Sequence, residues 1–457
     1  MRTNVARVLI MALAQNCNSY CILSGYDLLP ESFDTDIDFM VDQGSFERMP
    51  KIIERVAHQT NTRLFHSVEH EITGRSYWLA SQQGRELIIV QPDSAADYRH
   101  FGTLWLHSEE VLAARRWHPR GFWIPAAAHE FAYYLIKRLI KRSFTLEQGH
   151  KLYRLYSEDA AGCDRMIERF WKGPLRQKLF HMAASDDWAD IIMSLELFRR
   201  ELRQNAPESL WAKFASVPKH VASVYDRLKR PTGGWIAIIG PDGSGKSHVI
   251  SAIRQQFAFA YREVRCFHLR PKVLRKDVAA GAAVTDPHGQ PPRGLVASIA
   301  KVFFLIADYC IGYISKLAPA MRRSDLIIFD RYIYDLLVDS KRVRYGGPLW
   351  LLRFAARIVP QPDLVILLDA PPDVVWSRKQ EVTFDEVVRQ RSAYLQVAGN
   401  LRSTVVVDAS QSLGDVIHDV DSAILEYFAR RTAQRLHLAV RSKTTSPIET
   451  EAPGQRC

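Results

Sequence analysis

The spacing of hydrophobic and polar positions changes character three times along the chain. From Tyr20 to about Trp123, short β-branched runs alternate with helical stretches. Cys21-Ile-Leu, Asp36-Ile-Asp-Phe-Met-Val41 and Glu86-Leu-Ile-Ile-Val90 predict strands. From Pro125 to about Arg227 apolar residues recur at helical spacing, opening with a helix over Ala126–Arg142. Pro231-Thr-Gly-Gly234 interrupts that pattern, and the apolar run Trp235–Ile239 begins a strand–helix alternation that lasts to about residue 430. Such alternation is the mark of a parallel α/β sheet. The final stretch loses its periodicity and carries the polar run Ser442–Pro447, which predicts a flexible tail. The chain thus divides into 1–124, an α+β part; 125–228, a helical region; 229–432, an α/β part; and 433–457, the tail.

Two apolar segments bear on membrane association. The run Val8–Ala14 after Arg2 and Arg7 is at the bottom of the length range for a signal peptide and is expected to be an ordinary first helix. Leu295–Ile314 carries Lys301 and Asp308 within it, which predicts a core helix and no integral membrane segment.

Composition adds little to this outline and removes several classes. The chain has 457 residues, 47% hydrophobic and 24% charged, as an ordinary globular protein of two or three domains does. Its six cysteines, at 17, 21, 163, 266, 310 and 457, show no CxxC spacing, so neither a zinc site nor a disulfide framework is expected and a reducing cytoplasm fits. The formal net charge of +11, from 61 basic and 50 acidic side chains, favours an anionic partner without choosing among nucleotides, nucleic acid and anionic membranes.

The chemistry is concentrated in Gly240-Pro-Asp-Gly-Ser-Gly-Lys-Ser247, which satisfies G-x-x-x-x-G-K-S/T in full between an apolar strand and a helix. Gly240, Gly243 and Gly245 let the backbone curl so that N–H groups of the loop, with Ser244 and His248 among them, point at phosphate oxygens. Lys246 would neutralise the β- and γ-phosphates of ATP, and the Ser247 hydroxyl would hold Mg²⁺. Asp325–Asp330 is an apolar strand ending in a carboxylate. In a parallel sheet that end opens on the ligand crevice, so Asp330 is expected either beside the metal or as a helix cap.

With these residues in view, 235–430 resembles the thymidylate kinase family of P-loop kinases. The resemblance rests on the phosphate loop with its internal acid, the Asp330-Arg-Tyr332 triplet, the strand Pro362–Asp369 running into Ala-Pro-Pro, and Val407-Asp-Ala-Ser410. It implies an ATP- and Mg²⁺-dependent phosphotransferase with a nucleoside monophosphate or similar anionic small molecule as acceptor. It also implies that Asp242 faces the acceptor's sugar and Arg331 grips its phosphate. Arg378, with Lys379, either covers the transferring group or is a solvated helix residue. No Arg-Glu-Pro segment follows the second strand of this part. Phe267-His-Leu-Arg270, an inserted loop Thr285–Arg293 and the basic run Lys341-Arg-Val-Arg344 depart from the family, so the acceptor need not be thymidylate. Arg270, Arg342 and Arg344 either contact an anionic acceptor or are solvated charges.

A second, looser resemblance concerns the first 124 residues. Ser24-Gly25 precedes Asp36-Ile-Asp38, whose carboxylates at i and i+2 share one face of a strand and would hold Mg²⁺ together. This resembles the nucleotidyltransferase superfamily. Glu86-Leu-Ile-Ile-Val-Gln-Pro-Asp93, however, offers no carboxylate in mid-strand where a third is expected, so weak nucleotide or sugar-phosphate binding and little transfer are expected of this half. The predicted fold class is therefore α/β: a P-loop parallel sheet with flanking helices, preceded by an α+β nucleotidyltransferase-like domain and a helical region. Two alternatives to a kinase alone remain. One is a bifunctional nucleotidyltransferase-kinase acting on a sugar or polyol intermediate, and the other is a kinase with a non-catalytic N-terminal binding module. No nucleic-acid partner is indicated, and a homodimer is one candidate assembly.

Overall fold

A computed structural model describes residues 1–33, 36–100, 103–205, 230–274, 292–380 and 382–438. The expected boundary near 228, most of the inserted loop 285–293 and the tail beyond 438 lie outside these residues.

The N-terminal half is built on a five-stranded mixed sheet: β1 (Tyr20–Ile22), β2 (Asp36–Val41), β3 (Arg63–Glu71), β4 (Gly74–Gln83) and β5 (Glu86–Ala95), in the order β1-β2-β5-β4-β3. Only β2 and β5 run parallel, with Asp38 opposite Asp93. Two short hairpins follow, β6 (Tyr98–His100) with β7 (Thr103–Leu106), and β8 (Arg116–His118) with β9 (Phe122–Ile124). The helix expected over Ala126–Arg142 spans Ala127–Lys141 and ends where Arg142 turns left-handed. It forms the centre of a helical core that also takes in Cys21, Leu23 and Met40 from the sheet.

The C-terminal half is a five-stranded, all-parallel sheet of β10 (Gly234–Ile239), β11 (Val264–His268), β12 (Leu326–Asp330), β13 (Leu364–Asp369) and β14 (Thr404–Asp408), ordered β11-β12-β10-β13-β14. Helices cover both faces, so β10 is buried at every position and reads as a continuous apolar run. The strand order reverses at β10, which opens a crevice at the carboxyl ends of the strands.

The apolar segment from Leu295 is a helix that widens into one π-helical turn at Tyr313–Leu317 and resumes as α-helix to Arg322. One face, with Val302, Leu305 and Tyr309, packs in the core of the sheet, while Val296, Phe303 and Ile314 point outward. By length and composition it is long and apolar enough to cross a membrane, and a third of that window is buried.

The two halves meet on the last helix, Leu413–Arg435. It lies along β3 as well as on its own sheet, with Thr432 Oγ1 donating to Phe65 O at 2.8 Å and Arg435 to Ser67 O. Gln82 Nε2 donates to His418 O at 2.7 Å. Phe65, Val68, Trp78 and Ile89 share one core with Phe257, Tyr261, Ile424 and Phe428. His66 is sandwiched between Trp78 and Tyr261.

In this core Asp421 is 1% exposed, and its carboxyl oxygens and Gln256 Oε1 are unpartnered. Burial pushes its pKa up to about 7. A protonated Asp421 donating to Gln256 would satisfy both groups. Because an unfolded aspartate titrates near 4, the folded chain binds one proton more over roughly pH 4–7. Stability is therefore greatest below that window and falls as pH rises through it. Asp421→Asn should raise stability by roughly 1–2 kcal/mol at pH 5 and by roughly 4 kcal/mol at pH 8. Thermal melts at the two pH values check this, and an equal effect at both would contradict it.

Candidate functional site

The site forms where β10 ends. Gly240, Gly243 and Gly245 have φ of +144°, +88° and +90°, and a Cβ on Gly240 would stand 2.7 Å from Leu368 O. Glycine is required there by the left-handed backbone and the close approach of β13. The helix Lys246–Phe257 starts at Gly245, so the free N–H groups of its first turn face the crevice. Lys246 is 7% exposed and folds back on the loop, its Nζ donating to Gly240 O at 2.8 Å and Pro241 O at 2.7 Å. Burial, seconded by Arg331, lowers its pKa to about 8.

A cavity of about 710 Å³ opens over the loop. Its middle is lined by Asp242–Val249 after β10, the side of β11 and β12 by His268, Asp330 and Arg331 with Arg342, and the side of β14 by Ala409, Gln411, Leu413 and Val416, with Arg378 and Lys379 also on the wall. Every phosphate-loop and kinase-site residue expected from the sequence except Gly240 is on this wall, and Gly240 sits directly beneath it. Asp330 ends β12, and its Oδ1 is buried without a partner, as is Ser244 Oγ. An orphaned carboxylate oxygen across from the Ser247 hydroxyl is the donor set a hard divalent cation takes, so these residues fit Mg²⁺.

Asp242 is the hub of the charges. It pairs with Arg331, accepts from Arg342 Nη1 at 2.8 Å, and lies 3.8 Å from Lys246 Nζ. Burial opposes its ionisation, but Arg331, Lys246 and Arg342 outweigh burial and hold the carboxyl well below the usual range. Arg331 has a left-handed backbone (φ +69°) and is buried between Asp242 and Asp335, the latter at 3.6 Å. Asp335 is fixed in turn by Tyr332 N and Tyr394 OH, both at 2.8 Å.

The remaining expected contacts are elsewhere. Arg378 Nη1 donates to Ala409 O at 2.8 Å, tying it to the loop after β14. Arg270 is taken up by buried Asp308 at 2.9 Å and by the face of Phe304. Arg342 is thus the member of the basic set that reaches the cavity wall. His268, Gln411, Leu413 and Val416 carried no motif. His268 ends β11, and the other three follow β14 on its loop and the first turn of the Leu413–Arg435 helix.

In the N-terminal half, ligand oxygens of Asp36, Asp38 and Asp93 lie within 4.8 Å of one another. This corrects the expectation that a third carboxylate is missing. The strand predicted over Glu86–Val90 runs on to Ala95 through Pro92, because β2 and β4 both continue to pair with it. Ser24 Oγ donates to Asp38 Oδ2 at 3.0 Å, and Gln91 Nε2 holds both oxygens of Asp93. Burial, then the neighbouring Asp38, pushes Asp93 up to about 7. Lys137 Nζ, from the Ala127–Lys141 helix, donates to Asp38 Oδ2 at 2.6 Å and to Tyr133 OH at 3.0 Å.

The parallel sheet, its strand order and the glycine loop define a P-loop α/β fold. Residues 238–420 match the family model described as thymidylate kinase. Curated relatives agree. The chain is 27% identical over 209 residues to a thymidylate kinase of Xanthomonas campestris pv. campestris, covering 44% of this chain and 87% of that protein. It is 28% identical over 219 residues to one of Limosilactobacillus fermentum, covering 43% and 97%. The C-terminal half is thymidylate kinase-like.

Replacing Arg331 leaves buried Asp335 without its counter-charge. Arg331→Met should destabilise the protein by about 3 kcal/mol at pH 7. The deficit should be smaller at pH 5 than at pH 7, because burial raises the Asp335 pKa and protonation relieves the uncompensated charge. Denaturant titrations at both pH values test this, and a deficit independent of pH would refute it.

Proposed function

We propose that the protein is an ATP- and Mg²⁺-dependent cytoplasmic kinase that transfers the γ-phosphoryl group to a nucleoside monophosphate or a similar anionic small molecule. The observation that carries the reading is the single cavity wall shared by the glycine loop, Lys246, Ser247 and the unpartnered Asp330 Oδ1. Backbone N–H groups of 243–247 would cradle the β- and γ-phosphates. Lys246 would exchange the carbonyls of Gly240 and Pro241 for phosphate oxygens. Ser247 and Asp330 would hold Mg²⁺, which when bound neutralises charge on the transferring group. Asp242 faces the acceptor's hydroxyls. Arg342 and Arg331 face its anionic group, although Arg331 engages it only by releasing Asp242. Arg378 and Lys379 stand over the phosphate end. Because phosphoryl transfer passes through a loose, highly charged arrangement, fixed cations in line are most of what the chemistry needs.

An ADP-release screen over nucleoside monophosphates, sugars and polyols should find one acceptor class. Lys246→Ala should abolish its turnover with the fold intact, and Asp330→Asn should lower kcat far more than ADP affinity. Wild-type turnover in Lys246→Ala would sink the assignment. Lys246 must be protonated to meet phosphate, so ADP affinity should fall as pH rises through about 8. Titration calorimetry in two buffers should show proton uptake there, absent in Lys246→Ala.

We infer a second, bifunctional reading for the N-terminal half, supported by the carboxylates of Asp36, Asp38 and Asp93. Three such groups beside Ser24 suit divalent cations and a nucleoside triphosphate better than the pair expected from the sequence. Lys137 now occupies Asp38, so a cation would have to displace it. Full-length protein should release pyrophosphate from a nucleoside triphosphate with Mg²⁺ or Mn²⁺ and a sugar-phosphate or polyol-phosphate acceptor. Asp93→Asn should cut that rate at least tenfold and leave ADP release unchanged. Absence of metal-dependent release across the four nucleoside triphosphates would instead favour a non-catalytic binding module.

A further inference from the structure

The nucleotide cavity is polar at the glycine loop, which follows the central β10, and apolar on the β14 side at Leu413 and Val416, beside Gln411. Taking the donor-site reading as its basis, phosphates occupy the first and the base the second. The residues at the base end belong to the loop after β14 and to the first turn of the Leu413–Arg435 helix.

That turn is held by a side chain from the other half of the chain. Arg85, in the turn between β4 and β5, grips Asp415 with two parallel bonds, Nε to Oδ1 at 3.0 Å and Nη2 to Oδ2 at 2.9 Å. Nη2 also reaches Ser412 Oγ at 3.2 Å, and Ser412 caps the same helix. The guanidinium lies directly over Gly414, where a Cβ would stand 3.1 Å from Arg85 Cδ. The pair carboxylate–guanidinium geometry is bidentate, the arrangement that fixes orientation as well as distance. Gln82, on the same hairpin, ties down His418 O one turn further along. The base end of the cavity is therefore set from outside the kinase-like half.

We propose that Arg85 is a positioning residue for the nucleotide base. By fixing Ser412 and Asp415 it sets the placement of Gln411, Leu413 and Val416, so the N-terminal half contributes directly to nucleotide affinity in the C-terminal half. Arg85 touches no part of the cavity itself and acts only through that loop. It sits on an exposed turn, so its replacement leaves the fold intact.

The experiment uses the full chain and two probes, ADP and inorganic tripolyphosphate, the second of which has no base. Arg85→Ala should weaken ADP about two- to fivefold, the range expected for an exposed ion pair, and leave tripolyphosphate affinity unchanged. The reversed pair Arg85→Asp with Asp415→Arg should recover ADP affinity relative to Arg85→Ala. Unchanged ADP affinity in Arg85→Ala would overturn the proposal. So would an equal loss for both probes, which a merely structural role predicts, or a reversed pair no better than Arg85→Ala. Failure of the unmodified protein to bind either probe would instead overturn the donor-site reading on which the proposal rests.

Discussion

One helix, Leu413–Arg435, belongs to two sheets at once, and the rest of the architecture follows from that sharing. Val420, Ile424 and Phe428 bury against the parallel sheet, while Thr432 and Arg435 bond to the backbone of β3. A helix with a single apolar face can leave its other side to water. This one is clothed on both, and Phe65, Val68 and Trp78 would stand bare without it. The apolar residues of the two halves form a single cluster across the junction. Such a junction resembles the interior of one domain more than a contact between separable ones.

At the catalytic end the ordering principle is charge, not burial of apolar surface. Asp335, Arg331, Asp242 and Arg342 form a chain of alternating sign that runs from the core to the cavity wall. A buried arginine between two carboxylates is costly to assemble and costlier to break, because each member left alone would be an uncompensated charge in a poorly solvated site. The chain thereby fixes the glycine loop through Asp242, which otherwise would hang on a flexible turn. It also leaves the carboxylate of Asp330 outside these ion pairs, with its Oδ1 unpaired.

Much of this was legible in the residues. The glycine loop, its flanking strand and helix, and the Asp330-Arg-Tyr triplet specify their own surroundings, because local backbone geometry and phosphate chemistry demand those types at that spacing. The strand β2 fell on the predicted residues for the same local reason, an alternation of apolar and acidic positions. What was hidden depended on partners distant in sequence. Pairing with β2 and β4 carries the strand from Glu86 past Val90 to Ala95 and places Asp93 opposite Asp38. Arg270 and Arg342 looked alike as free basic residues. Asp308 claims the first and Asp242 the second, and no spacing rule distinguishes them.

The hairpin of β4 and β5 brings these strands of argument together. Its turn carries Arg85, which grips Asp415 and Ser412 at the start of the last helix, and eight residues along β5 stands Asp93, within the carboxylate cluster. At strand rise that separation is roughly 25 Å. β5 pairs with β4 from Glu86 to Ala95 and with β2 from Gln91 onward, so it behaves as a strut and not as a tether. A strut of this kind constrains where its two ends stand relative to one another without requiring either to move. The acidic cluster and the phosphate loop are therefore fixed in one frame: the first through β5, the second through the helix that Arg85 and β3 hold. Each place stands on a scaffold that the other half of the chain helps to keep rigid.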